Sequence, residues 1–292
     1  VQALAMGDAD FVLTGGAECM SRSPHILPAL RWGQKMGDVS TQDMMLGALN
    51  CPFGTGHMGV TAENVAKEHQ ISREDQDAFA LTSQERAAGA MADDRFQDQI
   101  VPVEIRIKRD TVAFQKDEHP KQTSAEQLAG LRPVFQKDGT VTAGNASGIN
   151  DGAAALVLAK GAAAEKAGLK PMFRVLGYAH SGVRPEVMGV GPIPAVRALC
   201  DRTGVTVDQF DVIESNEAFA AQALAVNREL GLDGAKVNPN GGAIALGHPV
   251  GATGAILTVK AMYELQRIGG SKALITMCIG GGQGIALAIE RI

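Results

Sequence analysis

The sequence predicts an α/β protein with a mixed sheet, and three observations support this. After Thr140, short segments of small and β-branched residues alternate with helical segments of ten or more residues, as in strands joined by helices. Aromatic residues make up only 4% of the 292 residues, so aliphatic side chains and glycine must build the cores of a layered structure. The last two predicted strands are separated by too few residues for a helical crossover, so they should be antiparallel.

The N-terminal half begins with one short strand and then loses its regular pattern. Phe11-Val12-Leu13-Thr14 predicts a short buried strand that ends in Gly15-Gly16, where a turn is easy because glycine has no Cβ atom. From residue 21 to residue 59 the chain is rich in proline, glycine and methionine and carries Trp32, the only tryptophan. We expect a long irregular excursion there.

Order returns before residue 140 in a series of helices and one strand. Ser72 and Asp75 have the spacing of a weak capping box, which predicts a helix start. The elements of this stretch are, in order, a helix after Thr61 as N-cap, a helix after Ser72 with Ala78, Leu81, Ala88 and Met91 on one apolar face, a strand over 100–107, a charged loop over 116–121 and a short helix after Ser124.

The C-terminal half supplies most of the predicted sheet. Its strands are expected at 153–160, 173–179, 211–214, 272–278 and 285–290. Its helices are expected before Gly168 and at 194–202, 217–230 and 252–268.

Composition excludes several classes of protein. The 27 basic and 32 acidic residues give a net charge of −5, which argues against a nucleic-acid-binding surface. Apolar runs are too short for a membrane helix, which needs about 20 residues. The four cysteines are scattered, without metal-ligand spacing and too sparse for a disulfide framework, so we expect no metal site and a cytoplasmic protein. The chain opens on Val1 in what reads as the end of a helix, and we expect a longer native protein.

Three segments place reactive side chains at the ends of predicted strands, where α/β sheets usually bind ligands. Asn216 follows the strand over 211–214 and could hold a water or a carbonyl oxygen, although a helix cap explains it equally well. His248 lies among five glycines between Gly241 and Gly254 and could act as a base or a hydrogen-bond donor; a lone histidine in a turn is otherwise structural.

The third segment delivers a thiol to a glycine-rich loop. Cys278 precedes Gly280, Gly281 and Gly282, whose backbone amides could form an oxyanion hole. A buried small side chain is the more common role of a free cysteine, and only the coincidence of all three segments favours chemistry. Two mechanisms remain open from the residues alone: a Cys-His-Asn hydrolase with Cys278 as nucleophile, and an acyl transfer in which Cys278 moves protons.

At these segments the chain resembles the thiolase family. Six motifs match in register along the whole chain, and they are closest to the bacterial biosynthetic and β-ketothiolase branch. The motifs are His57-Met58-Gly59-Val60-Thr61-Ala62-Glu63-Asn64, Thr142-Ala143-Gly144-Asn145-Ala146-Ser147-Gly148, Met188-Gly189-Val190-Gly191-Pro192, Asn216-Glu217-Ala218-Phe219, Gly247-His248-Pro249 and Cys278-Ile279-Gly280.

The resemblance implies an acyltransferase that joins two acyl-CoA molecules, such as acetyl-CoA, into a 3-oxoacyl-CoA and CoA, or cleaves that product with CoA. It implies that Cys278 takes the α-proton and that His248 activates the nucleophilic thiol and helps bind the thioester oxygen. Asn216 would hold a water that completes this oxyanion hole, and the amide of Gly280 would contribute to a second one. Coenzyme A thioesters are then substrates, and no other cofactor is expected.

The resemblance also implies a CoA pocket. Its acyl and pantetheine walls would be His57, Met58, Met188, Ala218 and Phe219, with Ser147 on the pantetheine and Leu131 and Phe135 near the nucleotide. Ordinary loop packing explains His57 and Met58, and turn capping explains Ser147, nearly as well.

One departure from the family is a missing nucleophile. Thiolases carry a nucleophilic cysteine just upstream of the position that Val1 occupies, and no residue here matches it. Cys19 falls at a different family position and reads as a small core residue, while Cys51 and Cys200 lie in no motif. We therefore expect the chain as written to be inactive, and a non-catalytic CoA-binding or structural fragment is the alternative function.

The family implies a layered αβαβα fold of two similar mixed-sheet halves, the first incomplete here, with an inserted loop domain. Residues 1–20 and 148–170 are assigned to the N-terminal domain, 21–147 to the inserted loop domain and 171–292 to the C-terminal domain. Thiolases of this type are usually tetramers, and the stretch over 20–49 corresponds to their tetramer contacts. We therefore expect a homo-oligomer whose other partners are acyl-CoA and CoA, without a nucleic acid or a membrane.

Overall fold

The computed structural model describes all residues from Val1 to Ile292. Its strands are β1 (Phe11–Cys19), β2 (His25–Ile26), β3 (Gln42–Asp43), β4 (Asn50–Cys51), β5 (Gly56–His57), β6 (Val103–Ile107), β7 (Asp110–Phe114), β8 (Asp151–Ala159), β9 (Phe173–Gly182), β10 (Val212–Ser215), β11 (Lys272–Ile279) and β12 (Gln283–Arg291). Its α-helices are α1 (Gln2–Met6), α2 (Met44–Ala48), α3 (Met58–Glu68), α4 (Arg73–Ala92), α5 (Ala125–Ala129), α6 (Gly161–Lys166), α7 (Pro192–Thr203), α8 (Ala220–Leu230), α9 (Ala243–Leu246) and α10 (Thr253–Ile268).

The main sheet has four strands in the order β10-β11-β12-β9. β10 and β11 are parallel, whereas β11, β12 and β9 are antiparallel neighbours. The turn between β11 and β12 uses Gly281 and Gly282, both with positive φ, a conformation that residues with a Cβ atom rarely adopt. The prediction of a mixed α/β fold with antiparallel final strands is confirmed.

A second, two-stranded sheet pairs β1 with β8 over their whole length, from Phe11 against Ala159 to Cys19 against Asp151. Helix α10 contacts both of these strands and also β10 and β11, so it lies between the two sheets as in a layered α/β fold. At Gly16 a Cβ atom would lie 1.9 Å from the carbonyl oxygen of Gly251. Only glycine therefore allows β1 to approach the segment that leads into α10.

The core is aliphatic, as the low aromatic content predicts. On one face of the main sheet, α7 packs Val196 and Leu199 against Ala286 and Ala288 of β12. On the other face, Leu257, Ala261 and Leu265 of α10 pack against β11. The sheet is thus covered by helices on both faces, and its parallel strands β10 and β11 carry buried runs.

Two predictions about the helices are wrong. Helix α3 begins at Met58 with His57 as its N-cap, so Thr61 is buried inside the helix and not at its start.

In α4 the cap and the capping box at Ser72 are present, but Ala78 and Ala88, which were predicted on its apolar face, are exposed. The helix instead buries a face that carries the polar residues Gln76 and Ser83 together with Ala80, Ala87 and Ala90. Two of the buried donors have distant partners: Nε2 of Gln76 donates to Thr140, and the hydroxyl of Ser83 donates to Glu217.

Cys19 is exposed and lies at the end of β1, so its interpretation as a core residue is also wrong. None of the helices combines the length and the apolar character that crossing a membrane would require.

Candidate active site

Asn216 directly follows β10 at the point where its parallel pairing with β11 ends. Ser215 is paired with Thr276 of β11, and the backbone N–H of Asn216 donates to the Thr276 carbonyl at 3.0 Å. The side chain is 1% exposed. Helix α8 begins only at Ala220, with Phe219 as N-cap, so the interpretation of Asn216 as a helix cap is wrong.

His248 brings its ring to Asn216. Its Nε2 atom lies 3.3 Å from Nδ2 of Asn216, and its Nδ1 atom lies 2.7 Å from the hydroxyl of Thr253. Burial lowers the pKa of His248 to about 4, because the charged imidazolium would lose its hydration. The ring is therefore neutral near pH 7, as a general base must be.

The loop around His248 depends on one glycine. Gly247 has a φ of +101°, and a Cβ atom on it would lie 2.5 Å from Cγ of Asn150. The side chain of Asn150 accepts a hydrogen bond from the backbone N–H of His248 at 3.0 Å. Gly247 thus gives the chain both the backbone conformation and the space that place His248 beside Asn150.

Cys278 lies near the end of β11 and is 7% exposed. It belongs to an apolar cluster, here called the thiol cluster, with Cys51, Met58, Ala62, Val141, Met188, Ala218 and Phe219. Burial raises the pKa of Cys278 to about 12, so the residue is a neutral thiol near pH 7. Met58 also packs against the loop after β11. Its Cε atom would lie 3.5 Å from a Cβ atom built on Gly280.

The residues predicted for a CoA pocket divide into two groups. Met58, Met188, Ala218 and Phe219 lie in the thiol cluster, and Phe135 packs against it. His57 stacks on Phe135 with ring centroids 4.7 Å apart, and Phe135 meets Phe219 edge to face at 6.1 Å. His57 also caps α3, since its Nδ1 accepts from the N–H of Gly59.

Ser147 and Leu131 are placed differently. Both the hydroxyl and the backbone N–H of Ser147 donate to the carbonyl of Ala218 at 3.1 Å, which ties the segment before β8 to the segment after Asn216. Leu131 lies outside the thiol cluster, 38% exposed, beside Gly144.

A buried network of charges surrounds Asn216, and sequence reasoning missed it. Lys260 of α10 donates to Glu214 of β10 at 2.8 Å and to the carbonyl of Gly241 at 2.7 Å. Glu217 accepts from Ser83, from Asn238 and from the backbone of Ile244. Desolvation raises the pKa of both carboxyl groups. The available signal was a lysine on the face of α10 that also carries Leu257, Ala261 and Leu265.

Asn150 and Thr253 were also missed. Their side chains hold the backbone and the ring of His248, but Asn150 is 98 residues away along the chain and carries no local motif. Thr253 stands five residues after His248 and reads in the sequence only as the start of a helix.

Comparison with known proteins places this site in a family. The N-terminal domain of thiolases matches residues 1–162, and the C-terminal domain of thiolases matches residues 169–291. The chain is 57% identical to the beta-ketothiolase BktB of Cupriavidus necator, covering all of this chain and 74% of that protein. It is 53% identical to the acetyl-CoA acetyltransferase of Allochromatium vinosum, covering all of this chain and 75% of that protein.

Solved structures agree with the sequence comparison. The crystal structure of the Bacillus anthracis acetyl-CoA acetyltransferase superposes with a TM-score of 0.97 at 46% identity, covering 99% of this chain and 74% of that one. Human mitochondrial 3-ketoacyl-CoA thiolase in complex with CoA superposes with a TM-score of 0.96 at 45% identity, covering all of this chain and 73% of that one. The chain has the thiolase fold and belongs to the thiolase family of acyltransferases.

Proposed function

We propose that this protein interconverts two acyl-CoA molecules with a 3-oxoacyl-CoA and CoA by Claisen condensation and thiolysis. The observation that carries the proposal is the contact between Asn216 and His248, at 3.3 Å, beside a cluster that contains the Cys278 thiol. An amide, a neutral imidazole and a thiol at the ends of adjacent elements suit a reaction that moves protons and stabilises an enolate.

His248 performs two tasks in succession. Its neutral ring accepts the proton of the attacking thiol at Nε2. The resulting Nε2–H then donates to the oxygen of the thioester as negative charge develops there. Asn216 supports the second task, because its Oδ1 atom is buried without a hydrogen-bond partner and can accept from a water that also donates to the same oxygen.

Cys278 exchanges the proton of the α-carbon. In the cleavage direction the neutral thiol gives its proton to the enolate that leaves the 3-oxoacyl-CoA, and in the condensation direction its thiolate takes the α-proton. The raised pKa of the thiol favours the first of these states before substrate binds. The amide of Gly280 supplies a second oxyanion donor at the end of the same strand.

The acyl and pantetheine parts of the substrate are assigned to the thiol cluster and to His57 and Phe135, with Ser147 on the pantetheine and Leu131 toward the nucleotide. CoA thioesters are the only small molecules this mechanism requires. We also propose a homotetramer in the cytoplasm, with the stretch over 20–49 in the subunit contacts.

The prediction that the chain as written is inactive is not supported, because named acyltransferases and thiolases match it over its whole length. The absence of the acyl-accepting cysteine from these residues stays a prediction. The hydrolase alternative gains no support from the contacts of His248, whose ring partners are Asn216 and Thr253.

The test is thiolysis of acetoacetyl-CoA, followed by mass spectrometry of the protein after incubation with acetyl-CoA. We expect turnover that Cys278→Ser reduces by about 10²–10⁴, and we expect Cys278 itself to carry no acetyl group. Cys200→Ser is the matched control, because Cys200 packs beside the core cluster under α7 and should leave turnover unchanged. Tight CoA binding without turnover or acetylation would favour the non-catalytic alternative, and acetylated Cys278 would favour the hydrolase.

A further inference from the structure

The hydroxyl of Thr253 lies between the ring of His248 and a backbone carbonyl. Its Oγ1 atom is 2.7 Å from Nδ1 of His248 and 2.9 Å from the carbonyl oxygen of Pro249. Thr253 is 2% exposed. A hydroxyl has a single hydrogen to donate, so it can donate to only one of these two neighbours at a time.

One assignment of hydrogens satisfies every donor in this group. If the hydroxyl of Thr253 donates to Pro249, the Nδ1 atom of His248 carries a hydrogen and donates to Oγ1. Nε2 is then unprotonated and accepts from the amide Nδ2 of Asn216. This arrangement contains three hydrogen bonds.

The opposite assignment satisfies fewer groups. If the hydroxyl donates to Nδ1, the hydrogen of the ring moves to Nε2 and faces the amide of Asn216. The amide must then turn its oxygen toward the ring, which leaves two hydrogen bonds. The buried NH₂ group is then unpaired in place of Oδ1, which has no partner in the first assignment. Pro249 keeps its backbone donors, Ala252 and Thr253, in either case. Each assignment leaves one atom of the Asn216 amide unpaired, so the first is preferred because it contains one hydrogen bond more.

We propose that Thr253 is a positioning residue that holds His248 in the tautomer with hydrogen on Nδ1. Nε2 then keeps its lone pair, which accepts from Asn216 in the free protein and takes the proton of the reacting thiol. The assignment of that lone pair to a thiol proton rests on the proposed function, whereas the tautomer itself does not. A base that presents its hydrogen instead of its lone pair cannot accept a proton, as the loss of about 10⁴ in rate on losing the correct histidine tautomer in a serine protease shows.

The position of Thr253 is fixed by the element that carries it. Thr253 is the first residue of α10, and two turns later Lys260 of the same helix binds Glu214, two residues before Asn216. The helix thus sets the distance between the hydroxyl and the strand end. The tautomer of His248 and the position of Asn216 depend on one rigid element.

The test reads the tautomer directly. In protein labelled with ¹⁵N-histidine, we expect His248, assigned by comparison with His248→Asn, to show a protonated Nδ1 and an unprotonated Nε2 at neutral pH. Thr253→Ser should keep that pattern, and Thr253→Val should shift it toward hydrogen on Nε2. Thr258→Val is the matched control, because Thr258 lies on the same helix and its hydroxyl makes the same type of bond to a carbonyl four residues earlier, at 2.8 Å.

The outcomes separate this proposal from the proposed function. Hydrogen on Nε2 in the unmodified protein, or an unchanged tautomer in folded Thr253→Val, would overturn it. The expected tautomer in a protein without thiolase activity would support the role of Thr253 and reject only the proposed function.

In an active protein, Thr253→Val should lower kcat by up to ~10²–10⁴, whereas Thr253→Ser and Thr258→Val should keep a kcat near that of the unmodified protein. If Thr253→Val does not fold, the unmodified protein and Thr253→Ser still decide the tautomer.

Discussion

Nδ2 of Asn216 and Nε2 of His248 lie 3.3 Å apart although 32 residues separate them along the chain. Asn216 is held at the end of β10 by its backbone bond to Thr276, and His248 is held by Asn150 and Thr253. The contact therefore joins two independently supported side chains, and its partners are largely buried. Such a preorganised pair can stabilise charge without rearranging during the reaction.

Replacing Asn216 by alanine should reduce turnover much more than stability. The variant removes the amide beside His248 and the support for a water at the thioester oxygen, and loss of one oxyanion donor typically lowers the rate by about 10²–10³. The measurement is kcat for acetoacetyl-CoA cleavage together with thermal unfolding. Asn227→Ala, which changes a residue of the same type on α8, is the control and should keep its rate. A variant of Asn216 with unchanged kcat would contradict its role.

The stability of the protein should depend on pH through His248. Burial lowers its pKa from 6.5 to about 4 in the folded state, so the unfolded chain binds a proton first as the pH falls. The contribution of the neutral ring is fully present above about pH 6.5 and is lost as the pH falls through about 4, by an amount of order 3 kcal/mol.

Urea unfolding between about pH 7.5 and 4, for the unmodified protein and for His248→Asn, measures this contribution. The raised pKa values of Glu214 and Glu217 act on both proteins and cancel in the comparison. We expect the free energy of unfolding to fall more steeply with decreasing pH in the unmodified protein. Parallel curves would show that His248 is not desolvated.

Cys278 should resist alkylation. A thiol with a pKa of about 12 presents only a very small fraction of the reactive thiolate near neutral pH, and the residue is 7% exposed. Cys19 is exposed and serves as the internal reference. Peptide mapping after brief iodoacetamide treatment should find Cys19 modified and Cys278 intact. Equal modification of the two would mean that the thiol is accessible and activated in the free protein.

Removing Lys260 should destabilise the fold around the site. Its ammonium group is the only cation bonded to Glu214, and breaking a buried pair from one side typically costs about 3–5 kcal/mol. We expect Lys260→Met to lower the free energy of unfolding, and Lys260→Met combined with Glu214→Gln to recover part of the loss because no carboxylate remains to be buried. A double variant that is less stable than Lys260→Met would contradict this assignment of the loss to an unpaired charge.

The main sheet was predictable from the sequence because its strands are continuous apolar runs bounded by turn residues. The strand predicted over 272–278 is observed as β11, Lys272–Ile279, and the one over 285–290 lies within β12, Gln283–Arg291. The buried face of α4 was not predictable in this way. Gln76 and Ser83 are buried because of hydrogen bonds to Thr140 and Glu217, which no local pattern reveals.

The same distinction applies to the candidate site. Asn216, His248 and Cys278 were found because each follows or ends a strand or sits in a glycine-rich turn. Asn150 and Thr253 were missed because their roles arise only when β8 and α10 meet the loop around His248. Long-range contacts of polar side chains carry that information, and apolar periodicity does not.

A crystal structure with bound acetoacetyl-CoA tests the central claim most directly. The account predicts a thioester oxygen within hydrogen-bonding distance of Nε2 of His248, a water shared with Asn216, and the reacting α-carbon next to the sulfur of Cys278. A thioester bound in full occupancy away from these three side chains would contradict it.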